Sequence, residues 1–174
     1  EDNPKLLKRA KLIRKNLRII LTEGDRLTRL INDFLDLTRI ESGRMEWRIR
    51  CMNVKQLLEE AANSARGQFE QTPGVELRLD VAPGLPQLSC DPDRLFQVLT
   101  NLLNNAAKFT SQGEVLLSAR MAGTDALRIE VADTGVGIPR EKLDAVFERF
   151  TQADSSTTRE YGGAGLGLHI TRRL

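Results

Sequence analysis

Asp133-Thr134-Gly135-Val136-Gly137-Ile138-Pro139 decides how this chain folds. Leu127, Ile129 and Val131 alternate just before it, so an acidic residue stands at the end of a half-buried strand and a glycine loop follows. The strand before that, Glu114 to Met121, is joined to Ala126–Ala132 by Ala122-Gly123-Thr124-Asp125, a hairpin turn. A hairpin in front of the glycine loop argues against a dinucleotide-binding crossover, and no G-x-G-x-x-G follows. No G-x-x-x-x-G-K-[ST] occurs either. Glycines at 135 and 137 permit close backbone approach or positive φ. The Asp133 carboxylate can accept a bond from an exocyclic amino group such as that of adenine, although Asp-x-Gly also serves as a plain turn.

Two flanking segments add chemistry. Upstream, Asn101-Leu102-Leu103-Asn104-Asn105-Ala106-Ala107-Lys108-Phe109 lies on a helix that Asp91 caps and Pro92 opens. Asn101 and Asn105 are four apart and share a face, with Lys108 on the same side. Asparagine is a poor helix former, so its repetition in an apolar helix requires a reason. Amide oxygens are hard ligands for Mg²⁺ and add no negative charge beside a triphosphate. The competing reading is that Asn104-Asn105 caps or frays the helix end. Downstream, Tyr161-Gly162-Gly163-Ala164-Gly165-Leu166-Gly167-Leu168 leads into a last helix. Its backbone N–H groups suit a phosphate, and a merely flexible loop is the alternative.

Residues 4–40 read as one helix. Leu6, Ala10, Ile13, Leu17, Ile20, Gly24, Leu27, Ile31, Phe34 and Thr38 step by four and three, the heptad period. Leu7, Leu21, Leu30, Leu35 and Leu37 widen the stripe, which favours a four-helix bundle formed by self-association. Gly24-Asp25 offers a turn, but the heptad phase runs through it. Ser42-Gly43 ends the helix. A short strand is expected at 52–54, a helix at 54–71 with Leu57, Leu58, Ala61, Ala65 and Phe69 inward, strands at 75–81 and 88–90, and a helix from Ile138-Pro139 to Phe147. Helices and antiparallel strands in this order predict an α+β sandwich, with helices on one face of a sheet.

The set as a whole resembles the ATP-binding domain of sensor histidine kinases, of the Bergerat (GHKL) superfamily. Asn101–Phe109 is similar to the family's N box, Asp133–Gly137 to G1, Phe147-Glu148-Arg149-Phe150 to the F box and Gly163–Gly167 to G2. Residues 25–44 resemble the second helix of the dimerisation and phosphotransfer domain. The resemblance implies a two-layer Bergerat sandwich over 45–174, preceded over 1–44 by a heptad-patterned helix of a dimeric four-helix bundle. It implies that Asn105 ligates Mg²⁺ and that Asn101 and Lys108 meet the phosphates of ATP. Asp133 would read adenine, Gly135 and Gly137 would shape the loop, and Gly163, Gly165, Leu166 and Gly167 would close on the triphosphate. Arg149 and Tyr161 would line the nucleotide, and 151–164 would be the ATP lid.

Two departures from the family are visible. The acceptor histidine followed by an acid is not matched anywhere; His169, the single histidine, sits in the wrong segment and reads as structural. The acceptor helix is expected upstream of Glu1, or is absent. The family's sheet gains a further hairpin after the last helix, so a C-terminally truncated domain is expected. The implied activity is transfer of the ATP γ-phosphoryl group to a histidine, for relay to an aspartate of a response regulator receiver domain. The alternatives are a nucleotide-sensing dimerisation module without phosphotransfer and an ATP-hydrolysing clamp.

Composition fits this reading. Charged residues make up 29% of the 174 and hydrophobic ones 40%, ordinary for a soluble domain. Residues 1–50 hold 13 of the 26 Lys and Arg, and Lys5–Arg18 carries seven without an acid. No aromatics are interleaved for base stacking, so this is a solvated helix face rather than a nucleic-acid patch. Cys51 and Cys90 are too few for a disulfide framework and lack metal-ligand spacing. No apolar run spans a bilayer. A cytoplasmic location is expected, with any membrane attachment through segments of a longer parent.

Overall fold

The computed structural model of the chain describes residues 4–151 and 165–174. They divide into two units, 1–45 and 46–174. Unit one is a single helix, α1 (Pro4–Glu41), unbroken at Gly24. Gly43 ends it at φ +64°, with its N–H on the Ile40 carbonyl at 3.2 Å and the Arg44 N–H on the Arg39 carbonyl at 3.0 Å. This pair of bonds is a Schellman cap, and it needs a residue that tolerates positive φ. Ile13, Leu17, Ile20, Leu27, Ile31 and Phe34, the heptad residues, are each more than half exposed.

Unit two begins with β1 (Arg50–Met52), which pairs antiparallel with β3 (Leu88–Cys90). The strand expected at 52–54 thus lies two residues upstream. Asn53 caps α2 (Val54–Glu70) through a 3.3 Å bond from the Gln56 N–H, so the chain is already helical where the strand was expected. All five inward residues expected on α2 are buried. They pack with Leu99, Leu103, Ala106 and Ala107 of α3 (Pro92–Phe109) onto Val115, Leu117 and Ala119 of β4 (Gly113–Met121). β4 is the centre of a three-stranded sheet, between β2 (Val75–Val81) and β5 (Leu127–Asp133). The helices therefore cover one face of the sheet, the two-layer arrangement expected.

The sheet is mixed rather than antiparallel. β4 and β5 form the expected hairpin, but β2 runs parallel to β4, with Val75 opposite Gly113. β3 and α3 form the crossover that a parallel pair requires. The helix expected from Ile138 to Phe147 is replaced by two 3₁₀ turns, Arg140–Lys142 and Ala145–Phe147. Their bonds run three residues back, from Lys142 to Pro139 at 2.9 Å and from Glu148 to Ala145 at 3.0 Å. Across the two turns only Val146 is buried, too little apolar anchorage to hold a full helix. A short helix, α4 (Gly167–Arg173), follows and buries His169 and Ile170. No helix among the described residues is long and apolar enough to cross a membrane.

Asp91 fastens the start of α3. Its carboxylate accepts the Asp93 and Arg94 N–H groups at 3.1 and 3.2 Å, and the Arg48 N–H at 2.8 Å. Burial disfavours the charge, yet the bonds from Arg48, Arg94 and Asp93 and the Arg94 charge hold the carboxyl below its ordinary value. A depressed folded value means stabilisation that is full above the unfolded pKa, about 4, and lost as pH falls through the folded one. Asp91→Ala is expected to cost about 1–2 kcal/mol in urea denaturation at neutral pH, with the gap closing in acid.

Candidate nucleotide site

α3 presents Asn101, Asn105 and Lys108 half-buried along one side. Asn101 Nδ2 is buried and has no hydrogen-bond partner. An unsatisfied buried amide costs about 1–3 kcal/mol, so such a group calls for a reason. Gly167, the first residue of α4, lies directly over it: a Cβ there would sit 3.6 Å from the Asn101 Cγ and Oδ1. The upstream Asn helix and the downstream glycine loop therefore meet at this amide. The Lys108 ammonium stands 4.7 Å above the Phe109 ring.

Asp133 closes β5 with an exposed side chain, and its Oδ1 accepts the Gly135 N–H at 2.9 Å. Gly135 is pressed onto the end of α3. A Cβ would stand 2.4 Å from the Phe109 carbonyl oxygen, which also accepts the Val136 N–H at 3.2 Å. The acidic glycine loop is thereby fixed to the Asn helix through backbone. Gly137 adopts φ +69° with open space around its Cα, so its need for glycine is conformational rather than steric. On the other side, Thr134 is bonded to the start of β4: its N–H donates to the Glu114 carbonyl at 3.1 Å, and its Oγ1 accepts the Glu114 N–H at 3.0 Å.

Phe150 and Gly165 are joined by a 3.2 Å bond from the Phe150 N–H to the Gly165 carbonyl. Gly165 has φ +67°, and a Cβ there would lie 2.8 Å from the Thr151 carbonyl oxygen. Phe150 itself takes φ +57° and is 66% exposed, an uncommon backbone for a bulky residue. Leu166 is buried. His169 Nδ1 donates to the Phe147 carbonyl at 2.8 Å, and the Arg172 guanidinium lies 5.6 Å from the Phe147 ring centre. These contacts fit the structural reading of His169. Arg149 is exposed. Tyr161, Gly163 and the expected lid beyond Thr151 lie outside the described residues.

Sequence reasoning overlooked the Phe109 carbonyl, Thr134 and Gly113. Gly113 alone left a signal, as a glycine opening a strand. Among the described residues no three His, Cys, Asp or Glu cluster to hold a metal.

Two family models match. The model for histidine kinase-, DNA gyrase B- and HSP90-like ATPases matches residues 90–174, and that for the His Kinase A (phospho-acceptor) domain matches residues 5–43. Hybrid signal transduction histidine kinase L of Dictyostelium discoideum is 38% identical over 163 residues, which is 91% of this chain and 10% of that protein. The circadian input-output histidine kinase CikA of Synechococcus elongatus is 38% identical over 164 residues, 92% of this chain and 22% of its own length. The crystal structure of full-length ShkA in complex with AMPPNP superposes with a TM-score of 0.79 at 34% identity, over 92% of this chain and 33% of that one. The chain thus spans less than a quarter of the length of these two curated relatives. It belongs to the histidine kinases, with a catalytic domain of the histidine kinase, gyrase B and HSP90 ATPase type.

Proposed function

We propose that residues 46–174 bind Mg-ATP and that the whole protein transfers the γ-phosphoryl group to a histidine, from which a response regulator aspartate takes it. The observation that carries this reading is the unpartnered Asn101 amide beneath Gly167, on the helix whose end holds the Asp133 loop. That buried donor fits a phosphate oxygen. Asp133 fits the adenine amino group, and the bare glycines leave room for backbone contact. Asn105 would hold Mg²⁺, and Lys108, Gly163, Gly165, Leu166 and Gly167 would surround the triphosphate, with Arg149 and Tyr161 beside it. ATP supplies the transferable phosphoryl group. The protein's contribution is positioning and charge neutralisation. The exposed heptad stripe of α1 supports a homodimer through that helix. On this reading residues 46–174 lie in the cytoplasm, where ATP is available.

Calorimetric titration with AMPPNP, with and without Mg²⁺, tests the site. Binding strengthened by Mg²⁺ is expected, and no binding would overturn the reading. Label transfer from γ-labelled ATP to the full-length protein tests the activity. A second reading, nucleotide sensing without transfer, is favoured by one fact: the matched residues 5–43 contain no histidine. Tight binding without label transfer would select it. Sedimentation as a monomer at every concentration would remove the homodimer.

A further inference from the structure

Thr134 does something unusual for the residue just past the end of a ladder. In an antiparallel pair every second pair of facing residues exchanges both N–H···O=C bonds, and Glu114 and Thr134 continue the β4–β5 register at such a position. Between Glu114 and Thr134 only one of these is conventional, the Thr134 N–H to the Glu114 carbonyl at 3.1 Å. The return bond, from the Glu114 N–H, goes to the Thr134 hydroxyl at 3.0 Å. The side chain stands in for its own carbonyl. The main chain is thus released from the sheet one residue early while the ladder stays satisfied. The hydroxyl proton has the Glu114 carbonyl at 3.3 Å and the Gln112 carbonyl at 3.5 Å as acceptors.

Gly113 makes room for this. It adopts φ +114°, and a Cβ there would overlap the Thr134 hydroxyl oxygen, with the Thr134 Cβ at 3.2 Å. Its own N–H is tied to the Gly74 carbonyl at 2.9 Å, so the backbone opposite Thr134 is held in turn. On the far side, Gly135 and Val136 rest on the Phe109 carbonyl. Asp133 is therefore the last residue of a strand whose exit is gripped on both sides, by β4 through Thr134 and by α3 through Gly135. Its carboxylate is oriented again by the Gly135 N–H at 2.9 Å.

We infer that Thr134, seated in the space left by Gly113, is the positioning residue that aims the Asp133 carboxylate, and so sets the preference for adenine. This rests on the reading of Asp133 as the adenine contact. Thr134 does not touch the base in this scheme; it acts through the backbone between itself and Asp133. A hydrogen bond to a charged acceptor depends steeply on angle, so a small rotation of the carboxylate weakens the contact to the amino group more than contacts to the phosphates.

The test compares ATP with purine riboside triphosphate, which lacks the 6-amino group, by calorimetry on the full chain with Mg²⁺. Thr134→Val, which keeps the shape and removes the hydroxyl, is expected to lose about tenfold in affinity for ATP and little for the 6-H analogue. Thr134→Ser, which restores the hydroxyl, is expected to return the preference for ATP. A Thr134→Val chain that loses both ligands equally would make the residue a general support of the pocket and overturn the inference. So would a valine chain that discriminates as well as the unaltered one. An unaltered chain that binds both nucleotides alike, with Asp133→Asn changing neither, would instead remove the adenine reading of Asp133 itself.

Discussion

Asp133→Asn is expected to weaken ATP binding by roughly 2–3 kcal/mol, about 30- to 150-fold, while the thermal midpoint scarcely moves. Asparagine keeps an oxygen to accept the Gly135 N–H, which Asp133 Oδ1 now takes at 2.9 Å, so the loop has no reason to collapse. The substitution removes the charge and turns one acceptor into an amino group that faces the adenine amino group donor to donor. The side chain is exposed, so neither the charge nor its loss bears on the core. Asp133→Ala would confuse the matter, because it also strands the Gly135 N–H. Affinity for ATP measured by calorimetry, beside a thermal melt, separates the two effects. Undiminished binding by a folded Asp133→Asn chain would remove this carboxylate from the site.

Gly135→Ala is expected to damage both stability and binding. The added methyl would meet the Phe109 carbonyl oxygen at 2.4 Å and the carbonyl carbon at 2.9 Å, and neither is a side chain that can swing away. The loop must lift from the end of α3, and the Val136 N–H then loses its 3.2 Å bond to the same oxygen. Overpacking of this kind costs about 1–3 kcal/mol, which lowers the melting midpoint by several degrees in a domain of this size. Because the loop carries Asp133, nucleotide affinity should fall along with the midpoint. Gly137→Ala makes the contrast. Nothing lies within 4 Å of a Cβ there, so the penalty is only that of an L residue at φ +69°, about 1–2 kcal/mol. Equal effects of the two substitutions would show that the contact with Phe109 does not matter.

The sequence was most legible where local chemistry acts alone. α2 and α3 were readable because apolar residues recur at helical spacing and because Asp91-Pro92 is a cap followed by a residue suited to the first turn. α1 ended where Ser42-Gly43 said it would. The β4–β5 hairpin announced itself by alternation around a polar turn. The segment after Pro139 misled because a proline start resembles a helix start, whereas only tertiary burial decides whether a helix continues. The parallel placement of β2 depends on which end of the sheet α3 returns to, and alternation along Val75–Val81 is the same for either direction. In the proposed site, Asn101, Asn105, Asp133 and the glycines stand out by residue type. The Phe109 carbonyl was not, because every residue carries a carbonyl and only the fold selects one. Thr134 stands inside the motif without a role legible from sequence, since its partner Glu114 lies 20 residues away.

The crossover between β2 and β4 also bears on the order of assembly. β4 and β5 close a turn of a few residues, whereas β2 finds β4 only after the chain from Ala82 to Gln112 has looped round. Closing the longer loop costs more entropy, so the hairpin is expected to form first and β2 to dock later. Within the hairpin, zipping from the Ala122–Ala126 turn reaches Glu114 and Thr134 last. Those residues and the end of α3 hold the acidic glycine loop, so the loop is expected to take shape only after the hairpin has zipped and α3 has packed against it. Pulsed hydrogen exchange would read this sequence of events directly. A ligand held by that loop would therefore stabilise the far end of the hairpin and the end of α3 together.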